Sequence, residues 1–98
     1  TATVHIFIGA TEVTPVSGIT LLDGESKRLS YASVNSGPVR IVSDVQVVAA
    51  ERVIYTVNGT ATSFSEMMGL PANKLDTTYW LPWYNNTSLD TQLRFGVP

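Results

Sequence analysis

Residues 38–57 read PVRIVSDVQVVAAERVIYTV, the densest run of β-branched residues in the chain and one nearly free of turn formers. The run predicts two consecutive strands, Val39–Ser43 and Val45–Val57, because β-branched side chains suit a pleated surface. In the first part Val39, Ile41 and Val45 share one parity and Arg40 and Asp44 the other, the pattern of a strand with one wet face. The longer part is mixed. Val45, Val47, Ala49, Val53, Tyr55 and Val57 share a parity with Glu51, while Val48, Ala50 and Ile54 fall opposite. A bulge near Ala49–Ala50 would exchange the faces and spare Glu51 from burial; alternatively both faces are covered and Glu51 is paired. The adjacent Glu51 and Arg52 are read as a structural ion pair holding neighbouring strands, not as a catalytic couple.

Downstream, Asn58-Gly59 is the strongest short hairpin signal, since both central residues of a type I′ turn need positive φ. Thr60–Phe64 is then expected to pair back. Ser65–Leu70 is expected to form one short helical turn, with Ser65 as its cap and Gly69-Leu70-Pro71 as its stop. Met67 and Met68 read as flexible gap fillers. Upstream, Thr3–Ile8 alternates Val4, Ile6 and Ile8 with His5 and Phe7, which predicts a strand. Residues 9–18 form a loop with a short extended piece at Glu12–Val16. Ile19–Leu22 is apolar, Asp23-Gly24 marks a tight turn, Ser26–Tyr31 resumes strand alternation, and Val34–Pro38 is a turn cluster. At the far end, Thr91–Val97 alternates Leu93, Phe95 and Val97 with Gln92, Arg94 and Gly96.

Thr77–Asn86, TTYWLPWYNN, holds four of the nine aromatics within six residues. Tyr79, Leu81 and Trp83 share one parity, Trp80 and Tyr84 the other, so an ordinary strand here leaves one set at the surface. Pro82 cannot donate to a ladder and confines the segment to an edge or interrupts it. The aromatic planes could stack on sugar rings, pack against a neighbouring domain, or plug the open end of a sandwich.

Composition removes several functional classes. With 98 residues the chain is read as one domain, 1–98, large enough to bury a core without staples. A net charge of −2 and 14% charged residues give no basic patch for nucleic acid or acidic lipid. Without cysteine there are no disulfides, thiolate metal sites or cysteine nucleophiles. Serine and threonine make up 21 of 98 residues, a bias that fits an exported surface protein. No apolar run reaches the length of a membrane span, and Thr1 is already strand-like, as in a mature or excised module. His5, the only histidine, lies on the polar side of its strand and reads as a surface residue, not a base or metal ligand. No G-x-S-x-G elbow or phosphate-binding glycine loop is present. Asp23-Gly24-Glu25 lacks the further oxygen ligands of a calcium loop. No cofactor, metal or catalytic residue is therefore expected, and no enzymatic activity.

About seven short strands separated by turn signals, without crossover helices, predict an all-β, antiparallel two-sheet sandwich, with a barrel as the alternative. The residues also resemble a family. The order V-x-V-V-A-x-E-R-V-I-Y (Val45–Tyr55), S-F-x-E-M-M-G (Ser63–Gly69), T-x-Y-W-L-P-W-Y (Thr77–Tyr84) and L-R-F-G-x-P (Leu93–Pro98) resembles tandem repeat units of large secreted bacterial surface proteins. That resemblance covers nearly the whole chain and implies an immunoglobulin-like, non-enzymatic building block. Val97 stands where the repeats usually carry Asn before the terminal Pro.

Two functional classes follow. One is a structural module of an extracellular stalk, sheath or filament at the cell surface, whose partners are neighbouring copies of itself. In that reading Val4, Ile6, Ile8, Leu93, Phe95 and Val97 lie on joining strands, and Tyr79, Trp80, Trp83 and Tyr84 on the contact between copies. The other is a carbohydrate-binding or adhesive module that stacks polysaccharide on the same aromatics. Asn58, Asn85 and Asn86 each open an N-x-Ser/Thr sequon in a predicted turn, where an attached sugar would stay in solvent.

Overall fold

A computed structural model describes residues 1–98. The chain divides into two compact units, one comprising Thr1–Val47 with Leu93–Pro98 and the other Val48–Gln92. All of its strands pair antiparallel. No helix is long and apolar enough to cross a membrane.

In the first unit β1 (Ala2–Ile8) is the central strand of a four-stranded sheet. Along one edge it pairs with β2 (Thr11–Glu12) at its Phe7–Ile8 end and with β3 (Ile19–Leu21) at its Ala2–Val4 end. Its other edge is filled by β4 (Val39–Ser43), in register from Val4 opposite Ser43 to Ile8 opposite Val39. Directly opposed residues share a face, so the register sorts the sheet cleanly. Ala2, Val4, Ile6 and Ile8 share a face with Ile19, Leu21, Val39 and Ile41, whereas Thr3, His5, Phe7, Thr20, Arg40 and Val42 lie on the other. The core sits on the aliphatic face, where Ala2 and Val4 are buried.

Two side chains close the β1 ladder. The Thr14 hydroxyl, buried, accepts from the Ile6 N–H at 3.1 Å, while Val13 N–H donates to the Ile6 carbonyl at 2.9 Å. At the opposite end Asp44 Oδ1 accepts from the Thr3 N–H at 2.7 Å, and the Asp44 N–H donates to the Thr3 carbonyl at 3.3 Å. Each bond satisfies a backbone group beyond the reach of the neighbouring strand.

The second unit is built on one hairpin, β5 (Ala50–Val57) and β6 (Thr60–Met68). Its turn is Asn58-Gly59, with φ of 50° and 78°, the left-handed pair a type I′ turn requires. The register runs from Val57 opposite Thr60 to Ala50 opposite Met68, with a shift between Tyr55 and Thr56 that leaves Thr62 as the extra residue. The Thr62 hydroxyl donates to the Tyr55 carbonyl at 3.2 Å at this bulge. A 3-10 turn, Ala72–Lys74, follows.

Several expectations are corrected. The six strands form one four-stranded and one two-stranded sheet, neither closed. Ser26–Tyr31, Val45–Ala49, Thr77–Asn86 and Thr91–Val97 are not strands; alternation gives a segment a suitable surface, but a strand forms only where another offers its edge. The bulge lies beside the turn, not at Ala49–Ala50. Both hairpin faces are open, so Glu51 needs no exchange of faces to stay in water. Ser65–Met68 is strand, not a helical turn, because pairing started by Asn58-Gly59 propagates to the end of β5 and holds these residues extended.

Candidate functional site

The surface of the second unit is where this chain departs most from ordinary packing. Every residue of β5 and β6 is exposed, including Val53, Ile54, Tyr55, Phe64, Met67 and Met68 at 54–65%. A two-stranded hairpin with nothing on its faces is marginal by itself. The two hairpin faces differ. One carries Ile54 opposite Phe64 and Arg52 opposite Glu66; the Arg52 guanidinium reaches Glu66 at 3.3 Å and lies 4.9 Å from the Phe64 ring centroid. Arg52 thus pairs across the hairpin, while its neighbour Glu51 faces the other way, opposite Met67. That second face carries Val53, Tyr55, Val57 and Met67 among Ser63, Ser65 and Thr60, with Glu51 its one charge.

The aromatic segment is exposed throughout, with Trp80 at 92%, Trp83 at 71%, Tyr79 at 58% and Tyr84 at 55%. Local hydrogen bonds shape it. The Asp76 N–H donates to the Tyr79 hydroxyl at 2.8 Å, and the Tyr84 hydroxyl donates to the Thr91 carbonyl at 3.4 Å. Between them Asn85 closes a loop: its Oδ1 accepts from the Thr87 N–H at 2.9 Å and the Thr87 hydroxyl at 2.8 Å, and its Nδ2 donates to Ser88 at 2.9 Å. Asn86 Oδ1 accepts from the Thr91 N–H at 3.2 Å. Of the three sequon asparagines only Asn58 stands at an open turn with no such loop around it.

Among the joining residues, Val4 is buried and Ile6 and Ile8 half-buried within β1, both of whose edges are taken. That strand has no free edge to lend a neighbour. Leu93, Phe95 and Val97 are exposed, the last two at 92%, in a segment that forms no strand. Gly96 lies against Pro38, close enough that a Cβ would stand 2.8 Å from the proline Cβ.

Sequence reasoning missed one constellation. His5 Nδ1 lies 2.6 Å from Glu12 Oε1, and the Thr14 hydroxyl donates to the same oxygen at 3.1 Å. The His5 contact, then the Thr14 bond and the nearby Arg40 charge, lower the Glu12 carboxyl below its ordinary value. Only the return of β2 along β1 creates the pairing, so spacing could not reveal it. Glu25 and Asp44 are lowered as well, by the Leu22 and Thr3 backbone N–H groups respectively. The Asp23-Gly24-Glu25 turn is therefore self-capped, Glu25 Oε2 accepting from Leu22 at 2.7 Å. No three His, Cys, Asp or Glu side chains converge on one point. Comparison with family models, with curated proteins and with solved structures gives no match.

Proposed function

We propose that this chain is a non-enzymatic structural module of an extracellular surface stalk, sheath or filament, which joins neighbouring copies through its aromatic segment and the Leu93–Val97 stretch. In the assembled state its strands belong to an immunoglobulin-like sandwich. The observation that carries the reading is the exposure of Trp80 and Trp83 on the same unit as an uncovered apolar hairpin. The two indoles expose on the order of 400 Å², worth about 10 kcal/mol of transfer free energy at about 25 cal/mol per Å². Association costs about 4–15 kcal/mol before any surplus appears, so this pair alone can offset much of that cost.

The test compares one copy with two copies linked in one polypeptide, by thermal melting and small-angle scattering. A higher midpoint and a fixed angle between copies are expected. An unchanged midpoint with a freely varying angle would reject the reading. Trp80→Ala and Trp83→Ala should leave the single copy within about 0.5 kcal/mol of wild type, as exposed positions do, and should lower the two-copy midpoint.

The exposure of Trp80, Trp83 and Tyr84 also favours a second reading, a carbohydrate-binding module that stacks sugar rings on these planes. The exposed apolar residues of this unit lie on both hairpin faces, much more than a sugar-stacking strip uses. Titration calorimetry against polysaccharides separates the two: binding abolished by either tryptophan substitution supports the lectin-like reading, and absence of binding supports the structural one.

A further inference from the structure

The first unit presents an aliphatic sheet face, and the second presents a hairpin that has no cover. Val39 and Ile41 remain 44% and 40% exposed beside Ile6 and Ile8. On the hairpin, Val53, Tyr55, Val57 and Met67 share a face at 45–65% exposure. This face suits burial better than its opposite. It carries no cross-strand ion pair to desolvate, whereas the other carries the Arg52–Glu66 pair. Ser63 and Ser65 are small and let a facing side chain approach, and Glu51 sits near the open end, where its carboxylate stays in water.

We propose that the Val53–Tyr55–Met67 face of the hairpin in one copy docks on the Ile6–Ile8–Val39–Ile41 face of the β1 sheet in a second copy, so that each sandwich is completed by two chains. The inference rests on the structural reading above and adds to its aromatic contact a second one, between the hairpin and the sheet. Sheets stack face to face about 10 Å apart when each buries an apolar face, and both partners here are antiparallel sheets. The two faces together leave on the order of 700 Å² of apolar side chain. Since a little over half of a typical interface is apolar, covering it corresponds to about 1,200 Å² in total, the lower edge of specific protein interfaces. The contact joins unlike surfaces, so a joined pair still offers one unused hairpin face and one unused sheet face, and assembly continues head to tail.

The experiment uses two variants, each spoiling one face: Val53→Glu on the hairpin and Ile41→Glu on the sheet. Both positions are at least 40% exposed, and far-UV circular dichroism checks that each variant keeps its β content. By size-exclusion chromatography with light scattering, wild type should form species whose mean mass rises with concentration up to ~100 µM. Each variant alone should remain monomeric. An equimolar mixture should give a dimer and stop there, because it contains one good hairpin face and one good sheet face. Arg52→Ala, on the opposite hairpin face, should assemble as wild type does. A monomeric wild type, or a mixture that stays monomeric, overturns the proposal. If the mixture fails while the linked two-copy protein still melts higher than the single copy, the structural reading stands and these surfaces are the wrong ones.

Discussion

Thr14 is the one buried polar residue of the chain, and replacing it with valine separates its hydroxyl from its shape. Valine keeps the branched outline but removes the acceptor for the Ile6 N–H and the donor to Glu12. Leaving that backbone donor without a partner costs about 1–3 kcal/mol. The added methyl recovers up to about 0.8 kcal/mol of apolar burial, so the net loss should be about 1–2 kcal/mol. Thr14→Ser is the companion change: it keeps both hydrogen bonds and gives up one buried methyl, at about 1 kcal/mol or less. Urea unfolding followed by circular dichroism, with m-values checked for constancy, ranks the pair. Valine should be the more damaging. A site held together only by packing would rank them the other way, and a Thr14→Val protein as stable as wild type would refute the reasoning.

Three further outcomes are expected. Because the Glu12 carboxyl is lowered by His5 and Thr14, its contribution to stability is fully present above the ordinary value near 4.5 and is lost as pH falls through the depressed one; the urea midpoint of Glu12→Gln should therefore fall less steeply in acid than that of wild type, and parallel acid limbs would count against the pairing. Gly18 and Gly24 have φ of 73° and 76°, but a Cβ on Gly18 would lie 2.8 Å from Thr3 Cγ2 and 2.9 Å from His5 Nε2, whereas one on Gly24 meets nothing within 4 Å. Both alanine substitutions carry the left-handed backbone penalty of about 1–2 kcal/mol, and Gly18→Ala should lose about 1–3 kcal/mol more from overpacking; equal losses in urea unfolding would show that β1 yields without strain. If the protein is glycosylated at source, peptide mass analysis should find sugar on Asn58 and not on Asn85, whose side-chain amide is engaged by Thr87 and Ser88.

The parts of this fold that could be read from the sequence are those whose cause is local. Asn58-Gly59 states its own turn because few other residues tolerate its φ values, and the Thr3–Ile8 and Val39–Ser43 alternations survive because the chain brings them together. Ser26–Tyr31 and Thr91–Val97 alternate just as well, yet neither meets an edge in this chain. Alternation reports a preference for a partner and not the partner's presence. The aromatic segment was legible as a surface feature from Pro82 and its two-sided pattern. The His5–Glu12–Thr14 cluster was not, since it depends on a two-residue β2 folding back onto β1.

The placement of β1 against β4 also sets how the first unit answers a mechanical load. Their antiparallel register puts Val4 beside Ser43, so tension entering at Ala2 and leaving beyond Asp44 pulls both strands from the same end. Loaded this way, the ladder peels open one rung at a time, and the force it bears is that of a single hydrogen-bonded pair, not the sum a sheared ladder would resist together. The Thr3–Asp44 bonds stand at that end and are the first to be stretched. Asp44, an exposed carboxylate, thus makes the first contacts that such a load would stretch.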